Sequence, residues 1–329
     1  MLDLASIPAK AVTISDVPVT VIGPPTFIAA IPGTNRVLTS CAMAVEVENG
    51  TPKHAPRSDV FLVDLSQKRI VASITVGVQA TGLSVSPDGR LALIANRAEG
   101  TVSSVSIEKE ALREIARTQV ATATDSLAHV EISPSGRFAA ATLNQGHAVL
   151  LLAIDETSRP SVVQRIEFEG SPYAARFTPD ENFLFVADIA KHRVQRYALL
   201  DGKATLVESL AVGRVPEGID ISPDSAWLAA SCFEGANLPE PTAPAYGKSA
   251  RIHLFRLNGK SSRLHDRIPV QGAPQFAVFS GDSQHLIVSN TGPRQLEIFT
   301  LRNGRFENTG HVIPLDGEPV GACRAGAQR

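Results

Sequence analysis

Apolar and polar positions alternate with a period of two along most of this chain, in short runs separated by Pro, Gly, Asp and Ser. Residues 80–120 show the unit: ATGLSVSPDGR, then LALIANRAEG, TVSSVSIEKE and LREIARTQV. Alternation over four to eight residues, rich in β-branched side chains, is the signature of a half-buried strand. Pro-Asp-Gly supplies the turn between the first two strands, and Gly100 opens a short connection into the third. Glu108–Ala111 makes the turn before the fourth. The four strands are called A to D in chain order. Tyr173 to Gly213 reads the same way, as YAARFTP, FLFVADIA, RVQRYALL and TLVESLAVG.

The A–B turn recurs. Ser86-Pro87-Asp88-Gly89 returns as Ser133-Pro134-Ser135-Gly136, Thr178-Pro179-Asp180, Ser222-Pro223-Asp224 and, degraded, Ser280-Gly281-Asp282, with an early relative at Ile31-Pro32-Gly33. A recurrence in the mid-forties is the period of a four-stranded propeller blade and not of a helical repeat. Six residues before the turn stands Pro25, Pro172, Pro216 or Pro274, with Ala80 and Leu127 in the other two copies. A seventh copy, Gly317-Glu318-Pro319-Val320-Gly321-Ala322-Cys323, leaves room for an A strand only. The pattern therefore predicts an all-β chain, residues 1–329 as one seven-bladed β-propeller domain, with the last blade closed by both termini. Six blades with overhanging ends is the alternative. Two B–C connections are long, Met43 to Ser58 and Glu234 to Ser249. Both are expected to be loops on the face where the A strands begin, where a rigid scaffold carries function.

Composition narrows the partners. Lys+Arg 31 nearly balance Asp+Glu 33, with no basic block, so neither nucleic acid nor an anionic membrane is the expected partner. No run reaches the ~18 apolar residues of a membrane span. Cys41, Cys232 and Cys323 are too few and too far apart for a disulfide framework or a cysteine zinc site. The opening MLDLASIPAKAVTISDVP lacks the basic start and apolar core of a secretory signal, which makes the cytoplasm the expected location.

The turn followed by B and C strands such as LALIANRAEGTVSSVSI (91–107), FLFVADIAKHRVQRYAL (183–199) and HLIVSNTGPRQLEIFTL (285–301) resembles the YVTN/lactonase superfamily of β-propellers. That superfamily includes sugar-lactone hydrolases similar to 6-phosphogluconolactonase, muconate-lactonising cycloisomerases and propellers with binding roles alone. Its lactonase branch places a histidine at the start of an A strand near the third blade and an acid in a later A strand. His129 in Ala128-His129-Val130-Glu131 and Glu217 or Asp220 in Pro216-Glu217-Gly218-Ile219-Asp220 offer these, each one residue from the family's register. The paired-histidine form of the motif is absent.

The residues themselves give the following candidates. One and three positions before the turn the A strands are apolar, whereas two before it stand Ser84, Glu131, Arg176 and Asp220. His129 shares the side of Glu131. Glu131, Arg176 and Asp220 are expected around one sector of the central channel, either as a mutually neutralising array or as a substrate site. His129 is the candidate general base, oriented by Glu131, with a structural hydrogen-bonded histidine as the plain alternative. His147 sits in the B–C connection of the same blade. Arg97, and Arg193 with His192 and Asp188, occupy the corresponding connections of other blades and suit a carboxylate or phosphate, or are solvated loop charges. Tyr173, Glu217 and Gln275 stand five before the turn and are expected to rim the channel mouth, Glu217 as a second acid or base. Tyr246 and Glu240 in the second long loop are placed to close over the site. Glu46, Glu48 and His54 in the first are discounted as a metal set. No Gly-x-Ser-x-Gly, HExxH or Gly-Lys-Ser/Thr loop is present, so neither metal nor other cofactor is expected.

Two functions follow as expectations. One is a metal-free lactonase or lactone-forming cycloisomerase on a small carboxylated or sugar-like lactone, with Arg97 and Arg176 holding the anion. The other is a binding module for a small ligand or a protein.

Overall fold

Four of the repeats close the A–B turn with the same side chains, which is why Ser/Thr-Pro-Asp recurs. In the computed structural model, which describes residues 26–41, 45–48, 51–54, 57–236 and 250–324, Ser86 Oγ donates to Asp88 Oδ1 at 2.5 Å. The amides of Arg90 and Leu91 donate to Asp88 Oδ1 and Ser86 Oγ at 3.1 and 3.0 Å. Gly89 takes a positive φ of 72° that an L side chain rarely adopts. The network returns at Thr178/Asp180, Ser222/Asp224 and Ser280/Asp282.

Among the described residues, the strands these turns join form six four-stranded antiparallel sheets, each ordered A-B-C-D. The first holds Phe27–Ala30, Arg36–Ser40, Ser58–Asp64 and Arg69–Val76. The second holds Ala80–Val85, Leu91–Asn96, Thr101–Ile107 and Leu112–Gln119, and the third Leu127–Ile132, Phe138–Leu143, Ala148–Ile154 and Pro160–Glu167. The fourth is Pro172–Phe177, Phe183–Asp188, Arg193–Leu200 and Lys203–Ala211. The fifth is Pro216–Ile221, Trp227–Cys232, Arg251–Leu257 and Ser262–Pro269; the sixth is Ala277–Phe279, His285–Asn290, Gln295–Arg302 and Arg305–Pro314. One short 3-10 turn, Ala123–Asp125, is the only helical element among the described residues, and no helix there is long and apolar enough to cross a membrane. The architecture is an all-β propeller.

The described residues cluster into two compact units, one around residues 26–175 with 200–204, the other around residues 176–199 with 205–324. In the first, Leu93, Leu127, Val130, Leu143 and Leu150 of the second and third blades share one buried cluster. In the second, Trp227, Leu254, Phe279, Phe299 and Phe306 do the same for the fifth and sixth. Burying each such side chain contributes roughly 1.5–3 kcal/mol.

Two expectations change. The first long connection is not all loop. Val45–Glu48 pairs with Thr51–His54 as an antiparallel hairpin. The seventh copy, Gly317–Cys323, adds no strand among the described residues. A strand exists only with a ladder neighbour, and this stretch is instead anchored through Arg324. The strands expected from the first ~22 residues to close the last blade, and the candidates Tyr246 and Glu240, lie outside the described residues, as do the side chains of Glu46, Glu48 and His54.

Candidate functional site

The A strands are not regular. Leu127 pairs with Leu143 but His129 pairs with Thr142, so Ala128 is an extra residue, and Glu217 is the extra residue between Pro216 and Gly218. A similar shift lies between Ala80 and Leu83. A bulge re-aims the side chains before it. Strict alternation would put Leu127 on the side of His129; the bulge returns Leu127 to the core, fully buried. Below the bulge the alternation is regular and His129 and Glu131 share a side.

In the first unit His129 is 8% exposed, and its Nε2 lies 3.7 Å from Glu131 Oε2. The Phe27 ring tilts toward it at 6.5 Å. Gly82 of the second blade lets this strand come close: a Cβ there would lie 2.6 Å from His129 Cα and 2.9 Å from Nδ1. Two positions on, Ser84 Oγ accepts the amide of Ile132 at 3.0 Å, a stitch from one A strand to the next. Arg97 Nε donates to Ser126 Oγ at 2.7 Å. His147 is exposed on the B–C turn, at a φ of 48°, with Nδ1 2.6 Å from the carbonyl of Gly170. Tyr173 is half-buried, and its carbonyl accepts Thr142 Oγ1 at 2.6 Å.

In the second unit Arg176 Nε stands 4.0 Å from Asp220 Oδ1. Asp220 has a nearer partner that the sequence reading missed: Arg324 Nη2, 2.6 Å from Oδ2. No repeat signal marks Arg324, which lies in the terminal stretch beyond the last complete blade. Asp220 Oδ2 also accepts the Phe279 amide at 2.9 Å. Arg193 Nε binds the fully buried Asp188 at 2.9 Å, and Asp188 accepts the amides of Ala190 and Lys191, so these charges knit their own turn. Glu217, half-buried on its bulge, has no hydrogen bond or ion pair among the described residues, and burial pushes its carboxyl up to about 7. Next to it, a Cβ on Gly218 would meet the carbonyl of the half-buried Gln275 at 2.5 Å, so the A-strand ends carrying Glu217 and Gln275 adjoin.

A second histidine–carboxylate pair, also unforeseen, lies at the foot of the second long connection. His253, 4% exposed, has Nε2 3.6 Å from Glu234 Oε1. Burial holds its imidazole below the ordinary value, Glu234 opposes this, and Arg267 and Arg251 add to it.

The arrangement thus supplies two proton-transfer candidates, a buried imidazole beside a carboxylate and a desolvated carboxyl that titrates near neutrality. Among the described residues, no group of three His, Cys, Asp or Glu is disposed to hold a metal ion.

Solved structures of similar shape are propellers of low sequence identity. A candidate 6-phosphogluconolactonase from Bacteroides uniformis superposes with a TM-score of 0.73 at 18% identity, over 90% of this chain and 87% of its own. The periplasmic gluconolactonase of Pseudomonas aeruginosa gives 0.70 at 16%, over 90% and 86%. The hydrazine synthase of Kuenenia stuttgartiensis gives 0.72 at 16%, over 95% and 93%. At such identities the likeness shows the fold alone. None of the three is a cycloisomerase, and the ring-closing expectation has no support. Among curated proteins none is significantly similar in sequence. Residues 57–295, well over half of the sequence, match the family model described as the Cytochrome D1 heme domain, and the chain belongs to that family.

Proposed function

We propose that this chain hydrolyses a small carboxylated or sugar-like lactone without a metal, with His129 as general base. One observation carries the reading: an almost fully buried imidazole 3.7 Å from a carboxylate on the same bulged A strand. Such a pair takes a proton from water, and Glu131 orients the ring and stabilises the imidazolium that forms. The hydroxide equivalent adds to the lactone carbonyl. The tetrahedral oxyanion then collapses, the ring C–O bond breaks, and the departing alkoxide recovers the proton from imidazolium. The product is the open hydroxy acid. Arg97, positioned through Nε by Ser126, has further N–H donors suited to a substrate carboxylate or the oxyanion. Two structural relatives named as lactonases point to the same reaction class.

The family's description names a haem, and the buried donors among the described residues do not fit one. A buried macrocycle needs an axial nitrogen or sulfur with open space before it. A Cβ added at Gly82 would already lie 2.9 Å from Nδ1 of His129, too close an approach for a macrocycle, and Nε2 faces Glu131. His253 is enclosed beside Glu234. Cys41 and Cys232 are 2% and 0% exposed, and burial raises the Cys232 thiol.

A binding module is the second reading, favoured by the way Arg176, Arg193, Asp188 and Asp220 are engaged with other groups of the chain. A panel of sugar and carboxylated lactones separates the two. Ring opening by the wild-type protein, unchanged by chelator, is expected; no hydrolysis of any member would move the assignment to the binding module.

A further inference from the structure

We infer that the ends of the A strands of the fifth and sixth blades form a guanidinium-binding cradle, which this chain fills with its own Arg324. Three acceptors from two blades converge. Arg324 Nη2 donates to Asp220 Oδ2 at 2.6 Å and to the Ile221 carbonyl at 3.0 Å, while Nε donates to the Phe279 carbonyl at 2.8 Å. Ile221 and Phe279 hold the same place, one residue before the turn, on neighbouring A strands. Each lends a carbonyl, and between them Asp220 contributes the charge.

The second and third blades show what this position does without a cradle. There the side chain two before the turn is Ser84, whose hydroxyl accepts the Ile132 amide. Asp220 makes the same link to the Phe279 amide, at 2.9 Å. A hydroxyl is sufficient for that link. The carboxylate adds a negative charge that is 7% exposed as a residue, and a buried charge is costly unless paired and hydrogen-bonded. Arg176 approaches the other carboxylate oxygen only to 4.0 Å. The additional charge is matched by a planar fork reaching a carboxylate and two carbonyls at once. A guanidinium has that geometry; an ammonium, a compact point donor, does not. Because Arg324 is tethered, it competes at an effective concentration in the millimolar range. The cradle is therefore fully open to an outside guanidinium only when Arg324 is withdrawn.

The test is thermal unfolding of the full chain carrying Arg324→Ala, with methylguanidinium added at low millimolar concentration and methylammonium as the control at equal ionic strength. Losing the partner of a largely buried carboxylate is expected to lower Tm by roughly 4–8 °C. Methylguanidinium should recover part of that loss saturably, methylammonium should not, and the wild type, whose own Arg324 competes, should respond to methylguanidinium much less than the variant. An unchanged Tm in the variant, or a lowered Tm with no selective recovery, overturns the cradle. Should Arg324→Ala not fold, the double variant Arg324→Ala/Asp220→Ser keeps the stitch as Ser84 makes it and removes the charge. It is expected to fold without a methylguanidinium response, and a selective, saturable rise in its Tm would overturn the assignment.

Discussion

Replacing Glu217 by Gln isolates the cost of holding a carboxyl on the bulge of the fifth A strand. Burial raises this carboxyl from 4.5 to about 7, and no described residue hydrogen-bonds to it. The folded chain therefore retains a proton over a pH range where the unfolded chain has released it. The stability from this group is complete below pH 4.5 and is lost as pH rises through 7. At about 1.4 kcal/mol per pH unit the full span is at most about 3 kcal/mol, less whatever the half-buried side chain retains of its hydration. Gln resembles the protonated acid in size and does not titrate. Urea unfolding, followed by the fluorescence of Trp227, the one tryptophan and 1% exposed, reads this directly. The variant and the wild type should be nearly equal at pH 4. The variant should be the more stable by about 2–3 kcal/mol at pH 8. Parallel pH profiles, or a wild type more stable than the variant at pH 8, would refute the desolvated carboxyl.

Two further substitutions test the stitching of the A strands. Gly82→Ala should destabilise by about 2–3 kcal/mol in urea unfolding, because the new Cβ would meet the backbone of His129 at 2.6 Å, which cannot swing aside. Ser84→Ala leaves the buried Ile132 amide without its acceptor and should cost about 1–3 kcal/mol by the same assay; a neutral result in either would mean that adjacent A strands are less closely coupled than described.

The fold was legible because its determinants are local. The Ser-Pro-Asp-Gly turns close on themselves, and the apolar positions one and three before each turn, such as Val130 and Ile132, are buried as the alternation requires. The pairing of His129 with Glu131 was legible for the same reason, two residues apart on a regular stretch of strand. What failed was non-local or broke the period. The bulges at Ala128 and Glu217 leave no mark in a pattern of period two, since nothing in Leu127-Ala128-His129 says that two residues face one. Arg324 acts on Asp220 from a segment outside the repeat, so no shared register reveals it. The hairpin of Val45–Glu48 with Thr51–His54 was different: Val-Glu-Val-Glu alternates plainly, and its signal was hidden by the Pro and Gly that mark loops.

The most direct test of the proposed chemistry is the turnover of a lactone that the wild type opens, compared in His129→Ala and Glu131→Gln with thermal midpoints confirming that both are folded. Removing a general base is expected to lower kcat by roughly 10²–10⁴-fold in His129→Ala. Glu131→Gln should lower it less and shift the pH profile, because the carboxylate acts only through the ring. A folded His129→Ala protein that retains full activity would contradict the account.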